Sequence, residues 1–211
     1  YREFRKINPK ITLGMNTNGA IRTPEWWQEL ANIFNQPRDY VVFSIDGLED
    51  TNSVYRRNVS WTKLMQNIRS FVEAGGSAHW DMLVYRHSQH QVDQCEQLAR
   101  DMGFKWFRAK VSKRGFTDRL EAPIGWNMPK TEAKSVDCHA LKEQSMYIDA
   151  QGRKSPCCWL GSRQRDFITD FESVKSSWAS IQPNIVCLDA CGTTDGSTRF
   201  TDQWQKTSEL T

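Results

Sequence analysis

The chain has 211 residues and six cysteines, and five of the cysteines, Cys138, Cys157, Cys158, Cys187 and Cys191, fall within a single stretch of 54 residues. Thiolates that share a metal must converge on one point, so they usually come as a close pair plus others from a hairpin or loop. Thirteen residues separate Cys138 from Gly152, and four separate Gly152 from Cys157. A β-rich run, Met146-Tyr147-Ile148, meets a polar turn at 149–152, and the chain then returns toward Trp159. This reads as a hairpin whose glycine lets the strand reverse and brings the second thiol back beside the first. Cys187-Leu-Asp-Ala-Cys191 supplies a close pair, followed by Gly192. Four thiolates from Cys138, Cys157, Cys187 and Cys191 suit a tetrahedral zinc or the four corners of a 4Fe-4S cluster, and counting ligands does not separate the two. On a returning strand Cys158 points away from Cys157, which makes it a bystander, although it could replace Cys157 as the ligand. Cys95 lies on the apolar face of a helical pattern and reads as core. Against all this stands the reading of six inert buried thiols, which the clustering of five of them disfavours.

The rest of the chain alternates. Lys10 to Met15 is β-rich, and "NTNG" at 16–19 supplies a turn. Thr23-Pro24-Glu25 opens a helix with apolar positions Trp26, Trp27, Leu30, Ile33 and Phe34. "YVVFSIDG" (40–47) is a continuous apolar run expected of a strand covered on both faces. Ser60 caps a helix with the stripe Trp61, Leu64, Met65, Ile68, Phe71 and Val72, stopped by Gly75-Gly76. A strand at 78–85, a helix at 89–102 closed by Gly103 and a strand at 105–111 follow. Successive βα units predict parallel strands with right-handed crossovers, in one layer or a barrel segment. The rhythm breaks at 112–137, where Pro123, Pro129 and many charges read as a linker, with a domain boundary near residue 130.

In parallel α/β sheets ligands sit where the βα loops leave the carboxyl ends of the strands. The segments there are "NTNG" (16–19), "SIDG" (44–47), "YRH" (85–87) and "KVSKR" (110–114). Polar turn residues occur at strand ends in any α/β protein, so spacing alone leaves a small-molecule site and plain turns equally open.

Composition narrows the function classes. Hydrophobic residues make up 38% of the chain, and nine Trp and ten Phe can build a core despite a mean hydropathy of −0.66. A net charge of +3, scattered along the chain, gives no nucleic-acid signal. No apolar run approaches the roughly 20 residues of a membrane span, and the first residues do not resemble a signal peptide. Six cysteines without an export signal point to a cytoplasmic setting and to metal ligands rather than disulfides. The opening "YREFRKINPK" reads as the second half of an amphipathic helix, so the expectation is a fragment or a product lacking an N-terminal part.

The chain resembles the radical SAM superfamily, and its tail resembles the shorter SPASM-type appendage called Twitch. The tail pattern of that family, Cys-x9–15-Gly-x4-Cys, is met by Cys138, Gly152 and Cys157. A later cysteine pair completes one auxiliary cluster in such tails, and Cys187 and Cys191 take that place, with three intervening residues rather than the commoner two. "TLGMNTNG", "VVFSIDGLEDTNSVYRRN" and "LVYRHSQHQVDQCEQLARDMGF" are similar to the third, fourth and fifth βα units of the family's partial barrel.

That resemblance implies a partial (β/α) barrel with parallel strands over residues 1–115, a linker at 116–137 and a small cysteine-rich α+β domain over 138–211. It implies that Thr17 and Asn18 line the cavity for S-adenosylmethionine, that Ser44 and Asp46 help hold its methionine end, and that Arg56 faces its carboxylate. A planar guanidinium suits that last task because it pairs two oxygens at once, while the residue types alone allow a solvated helix-entry charge. The family's Cys-x3-Cys-x2-Cys motif, which binds the catalytic cluster, is absent from residues 1–211. The expectation is therefore the C-terminal portion of an enzyme that modifies a peptide or small metabolite by radical chemistry, served by a reductant protein and inactive as this chain alone. The alternatives are a non-catalytic binding or scaffold protein, or an α/β domain with a structural zinc site.

Overall fold

Four parallel strands organise the first half of the chain. The computed structural model describes residues 1–111, 116–125, 135–142, 145–163, 171–178, 184–193 and 208–209. In it β1 (Gly14–Thr17), β2 (Tyr40–Ser44), β3 (Ala78–Val84) and β4 (Trp106–Val111) lie side by side in that order. Gly14 is in register with Tyr40, Val41 with Ala78, and His79 with Trp106. α1 (Arg2–Ile7) precedes the first strand, and α2 (Pro24–Ile33) joins β1 to β2. α3 (Glu49–Tyr55) and α4 (Trp61–Glu73) join β2 to β3, and α5 (Val92–Asp101), entered through one 3-10 turn at Gln89–Gln91, joins β3 to β4.

Local chemistry sets most of these boundaries. The Thr23 hydroxyl accepts from Trp26 N, Pro24 occupies the first helical turn of α2, and the Ser60 hydroxyl accepts from Lys63 N at the start of α4. The first strand starts four residues later than its β-rich pattern predicts. Asp39, wholly buried, takes the amide of Leu13 at 2.8 Å, Asn8 Oδ1 takes the amide of Lys10, and Arg5 bonds the carbonyl of Ile11, so several backbone groups of residues 10–13 go to side chains before ladder pairing begins. Asn16 and Thr17, expected in a turn, are the end of the strand. Helix α3 has no apolar stripe to announce it. Its first turn is acidic, Glu49 and Asp50, which suits a helix N-terminus.

The main core cluster lies on one face of the sheet, and Val42 is buried on the other. Leu13, Val41, Phe43, Ile45, Ala78, Trp80, Met82, Val84 and Phe107 pack against Trp27, Leu30 and Phe34 of the α2 segment, Leu64, Ile68 and Phe71 of α4, and Cys95 and Ala99 of α5. The alternate positions Tyr40, Ser44, His79, Asp81, Leu83, Trp106 and Lys110 are half-buried and face the other way. Along β3 the alternation is complete from Ala78 to Val84. Ser208–Glu209 (β9) returns to pair antiparallel with Trp106 and Phe107, so the chain's last residues belong to this unit.

The chain divides into two compact units, residues 1–127 with 207–211, and residues 128–206. In the second, β5 (Ser135–Val136) pairs with β8 (Gly192–Thr193), and β6 (Tyr147–Ile148) pairs with β7 (Lys154–Ser155). Between them run α6 (His139–Lys142), α7 (Cys158–Arg163), α8 (Phe171–Ser177) and α9 (Ile185–Cys191). Leu160, Val174, Val186 and Cys187 form its small core, with Val136, Cys157, Trp159 and Trp178 packed against it. Among the described residues, no helix is long and apolar enough to cross a membrane.

Candidate functional site

The cysteine-bearing unit brings four thiols to one pocket. Cys138, Cys157, Cys187 and Cys191 line it together with Val136, Trp159, Leu160 and Val186. The thiols arrive by three local devices. Cys138 sits between β5 and α6, and the amides of Ala140 and Leu141 direct their N–H groups at its sulfur. The 147–155 hairpin turns on Asp149, whose Oδ1 accepts from the amides of Gln151 and Arg153, and on Gly152 at a φ of 80°, a conformation that costs glycine little. Cys187 and Cys191 lie four residues apart on α9 and so share one face of that helix. The Asn184 side chain caps that helix by accepting from Val186 N at 3.0 Å.

The adjacent pair Cys157-Cys158 is placed by a helix, not by the strand that its sequence context predicts. The returning strand ends at Ser155, and Cys158 is the first residue of α7. The half-buried Cys157 lines the pocket, while Cys158 is exposed and is not among the pocket's lining residues. Helix entry rather than strand alternation separates the two thiols.

Burial raises the pKa of Cys138 and of Cys187, and their neighbouring thiols push the same way. A raised pKa keeps the proton on Cys138 and Cys187 unless a cation draws it off, which is the chemistry of a thiolate metal site. Among the described residues, no three His, Cys, Asp or Glu side chains stand gathered as a finished metal cage. Four sulfurs line one apolar pocket, and thiol sulfur is the donor type that zinc and iron-sulfur clusters take. Cys95 stands apart on α5, fully buried, its thiol pushed up to about 12 by burial.

The other unit holds the second group of expected site residues at the carboxyl ends of β1 and β2. Thr17 ends β1, and its hydroxyl accepts from Gly19 N, while the Asn18 side chain accepts from Ala20 N. The loop is pinned from behind by Asn67 of α4, which donates to the carbonyls of Gly19 and Ile21. Ser44 ends β2 in register with Asp81. Asp46 is completely buried and committed within the fold. Its Oδ2 takes Arg56 Nε at 2.5 Å and its Oδ1 takes the amide of Leu83 at 2.7 Å. Burial raises its pKa, and the charge of Arg56 and the Leu83 amide pull against that rise.

Asp46 therefore orients Arg56, and the outer guanidinium nitrogens of Arg56 make no hydrogen bond among the described residues. Arg56 also lies over the Tyr55 ring at 4.9 Å. The loop after Asp46 is clamped by Gln91, which accepts from Leu48 N and Thr51 Oγ1 and donates to Asp50. Asn52 accepts from the amide of Asp46.

Asn52, Asn67 and Gln91 are buried polar groups that pattern reading did not single out. For Asn67 a signal existed: it is a polar residue directly beside Ile68 in the apolar stripe of α4. Of the "KVSKR" strand-end segment, Ser112, Lys113 and Arg114 lie outside the described residues. Compared with known proteins, the chain matches no protein-family model and no curated protein sequence.

Proposed function

We propose that the chain is the C-terminal portion of a radical SAM enzyme whose second unit holds one auxiliary 4Fe-4S cluster on Cys138, Cys157, Cys187 and Cys191. The observation that carries this reading is the shared pocket: thiols 53 positions apart in sequence, Cys138 and Cys191, line one apolar cavity with Cys157 and Cys187. The amide N–H groups aimed at Cys138 sulfur supply the kind of hydrogen bonding that iron-sulfur ligands receive. Support from the first unit is of a different kind. Strands in sequential order match the wall of a partial (β/α) barrel better than a doubly wound sheet, which reverses strand order.

In this reading Thr17 and Asn18 line the cavity for S-adenosylmethionine, Ser44 and Asp46 help hold its methionine end, and Arg56, bonded by Asp46, faces its carboxylate. When bound, that cofactor and the clusters supply radical and electron-transfer chemistry. The protein's part is to bind, orient and exclude water. Residues 1–211 contain no Cys-x3-Cys-x2-Cys run, so they supply no site for activating the cofactor. The substrate class is a peptide or small metabolite, and the setting is the reducing cytoplasm.

Anaerobic reconstitution with iron and sulfide is the test. The expected product is brown, with about four iron and four sulfide per chain and broad absorbance near ~400 nm from thiolate-to-iron charge transfer. A colourless protein that binds one zinc through the same thiols would replace the cluster with a structural zinc site.

A further inference from the structure

Arg56 closes the C-terminal end of α3, a helix with little apolar anchorage of its own. The buried residues of α3 are Thr51 and Asn52, and none of its side chains belongs to the main core cluster. Polar contacts from the next βα unit hold it instead. Gln91, only 4% exposed, accepts from Leu48 N at 3.0 Å and from Thr51 Oγ1, and its amide nitrogen donates to the two carboxylate oxygens of Asp50 at 2.9 and 3.1 Å. One side chain thus grips three residues around the start of α3. Gln91 is seated in turn by its backbone amide, which donates to the Ser88 carbonyl at 3.0 Å at the entry to α5. From that grip hydrogen bonds run on to Arg56. The Asn52 side chain accepts from Asp46 N at 2.9 Å, and the Asn52 carbonyl accepts from Arg56 N at 2.9 Å. Asp46 Oδ2 then takes Arg56 Nε at 2.5 Å, so Arg56 is fixed both by its backbone, through α3, and by its side chain.

We propose that Gln91 is a positioning residue: by clamping the start of α3 it fixes the Arg56 guanidinium beside the strand ends and so sets how strongly the site prefers a ligand that carries a carboxylate. The role rests on the cofactor reading above, in which Arg56 faces the carboxylate of S-adenosylmethionine. Gln91 is buried and acts through α3 rather than by touching the ligand. A two-point grip of guanidinium on carboxylate tolerates little rotation, because two N–H directions must meet two oxygens at once. Without the clamp, Leu48 N, Thr51 Oγ1 and Asp50 lose their common partner, and α3 has no apolar stripe to keep it in place. Discrimination for the carboxylate is then lost while the sheet and its core, built from other residues, stay folded.

The experiment titrates the 211-residue chain with S-adenosylmethionine and with decarboxylated S-adenosylmethionine, followed by ligand-observed NMR, and takes the ratio of the two dissociation constants. Wild type should prefer the carboxylate form by about tenfold or more, the usual worth of a charge-assisted pair. Gln91→Met keeps the length and loses the amide, and Gln91→Glu sets a second carboxylate against Asp50. Both should bring the ratio toward one while urea unfolding shows the chain still folded, and either variant alone suffices if the other does not fold. Combining Gln91→Glu with Asp50→Asn exchanges donor and acceptor across the same contact and should restore the wild-type ratio. A wild-type ratio in the folded single variants would overturn the proposal. A combined variant that restores nothing would assign Gln91 to packing and overturn it as well. Wild type that binds both ligands equally, or neither, would instead sink the cofactor reading of Arg56, and this inference with it.

Discussion

At the scale of single residues the chemistry divides between thiols that share a pocket and polar groups that hold loops. Serine at Cys138, Cys157, Cys187 or Cys191 removes a thiol from the pocket, whereas serine at exposed Cys158 removes none. On the proposed cluster reading, each of the four pocket variants should lose cluster retention by more than about tenfold, since even an outer-shell partner typically costs that much. Cys158→Ser should retain wild-type iron and sulfide, and colorimetric iron and sulfide assays decide it; equal loss in all five variants would contradict the ligand assignment.

His79 offers a second test. Burial depresses its pKa from 6.5 to about 4, on the half-buried face where its ring stacks on Tyr40 at 5.0 Å. Between those values the unfolded chain binds more protons than the folded one, so stability rises with pH. The contribution is fully present above about pH 6.5 and is lost as pH falls toward 4. After allowance for partial exposure it is on the order of 2 kcal/mol. Urea midpoints measured across this range should fall more steeply for wild type than for His79→Gln, and parallel curves would refute the assignment.

At the scale of elements, loop geometry depends on side chains supplied by the next βα unit. Gly47 adopts a φ of 150°, and a Cβ there would lie 2.0 Å from Thr51 Oγ1. Thr51 is itself held by Gln91 from the following unit, so it has little room to give. Gly47→Ala should therefore cost at least about 2 kcal/mol, read as a lower urea midpoint with an unchanged slope. A near-neutral result would show that the clamp is loose. Helix positions were the most legible elements, because capping residues and apolar stripes act locally: Thr23 and Ser60 start their helices where the sequence places them. α3 escaped notice because its helical residues, "EDTNSVY", carry no periodic stripe.

At the scale of the molecule, two units with separate cores should respond separately to metal. The larger unit is built on the parallel sheet and its helices, and the smaller one on a short apolar core that includes Cys187 itself. A small core rarely supplies more than a few kcal/mol by itself, and a metal centre is a common substitute. If the second unit holds the proposed metal centre, calorimetry of the reconstituted chain should show two transitions. Stripping the metal with a chelator under reducing conditions should lower only the one belonging to residues 128–206. A single transition that moves as a whole would show that the units unfold together.

What the sequence determined by itself is what short-range physics controls: the alternating βα order, helix starts and stops, the glycine turn at 152, and the clustering of five cysteines. What only the tertiary structure decided is how groups distant along the chain are used. Cys157 and Cys158 read as strand neighbours, and a helix start separates them instead. The resemblance implies that Asp46 helps hold a ligand; the tertiary structure alone shows that its two oxygens accept from Arg56 Nε and from the amide of Leu83, 10 and 37 residues away. The closing pair of residues on β4 comes from the far end of the chain, at Ser208–Glu209. Periodicity encodes which face of an element is apolar. It does not encode which remote amide, guanidinium or sulfur will arrive at that face, because that depends on the register of strands and on the packing of helices from other parts of the chain.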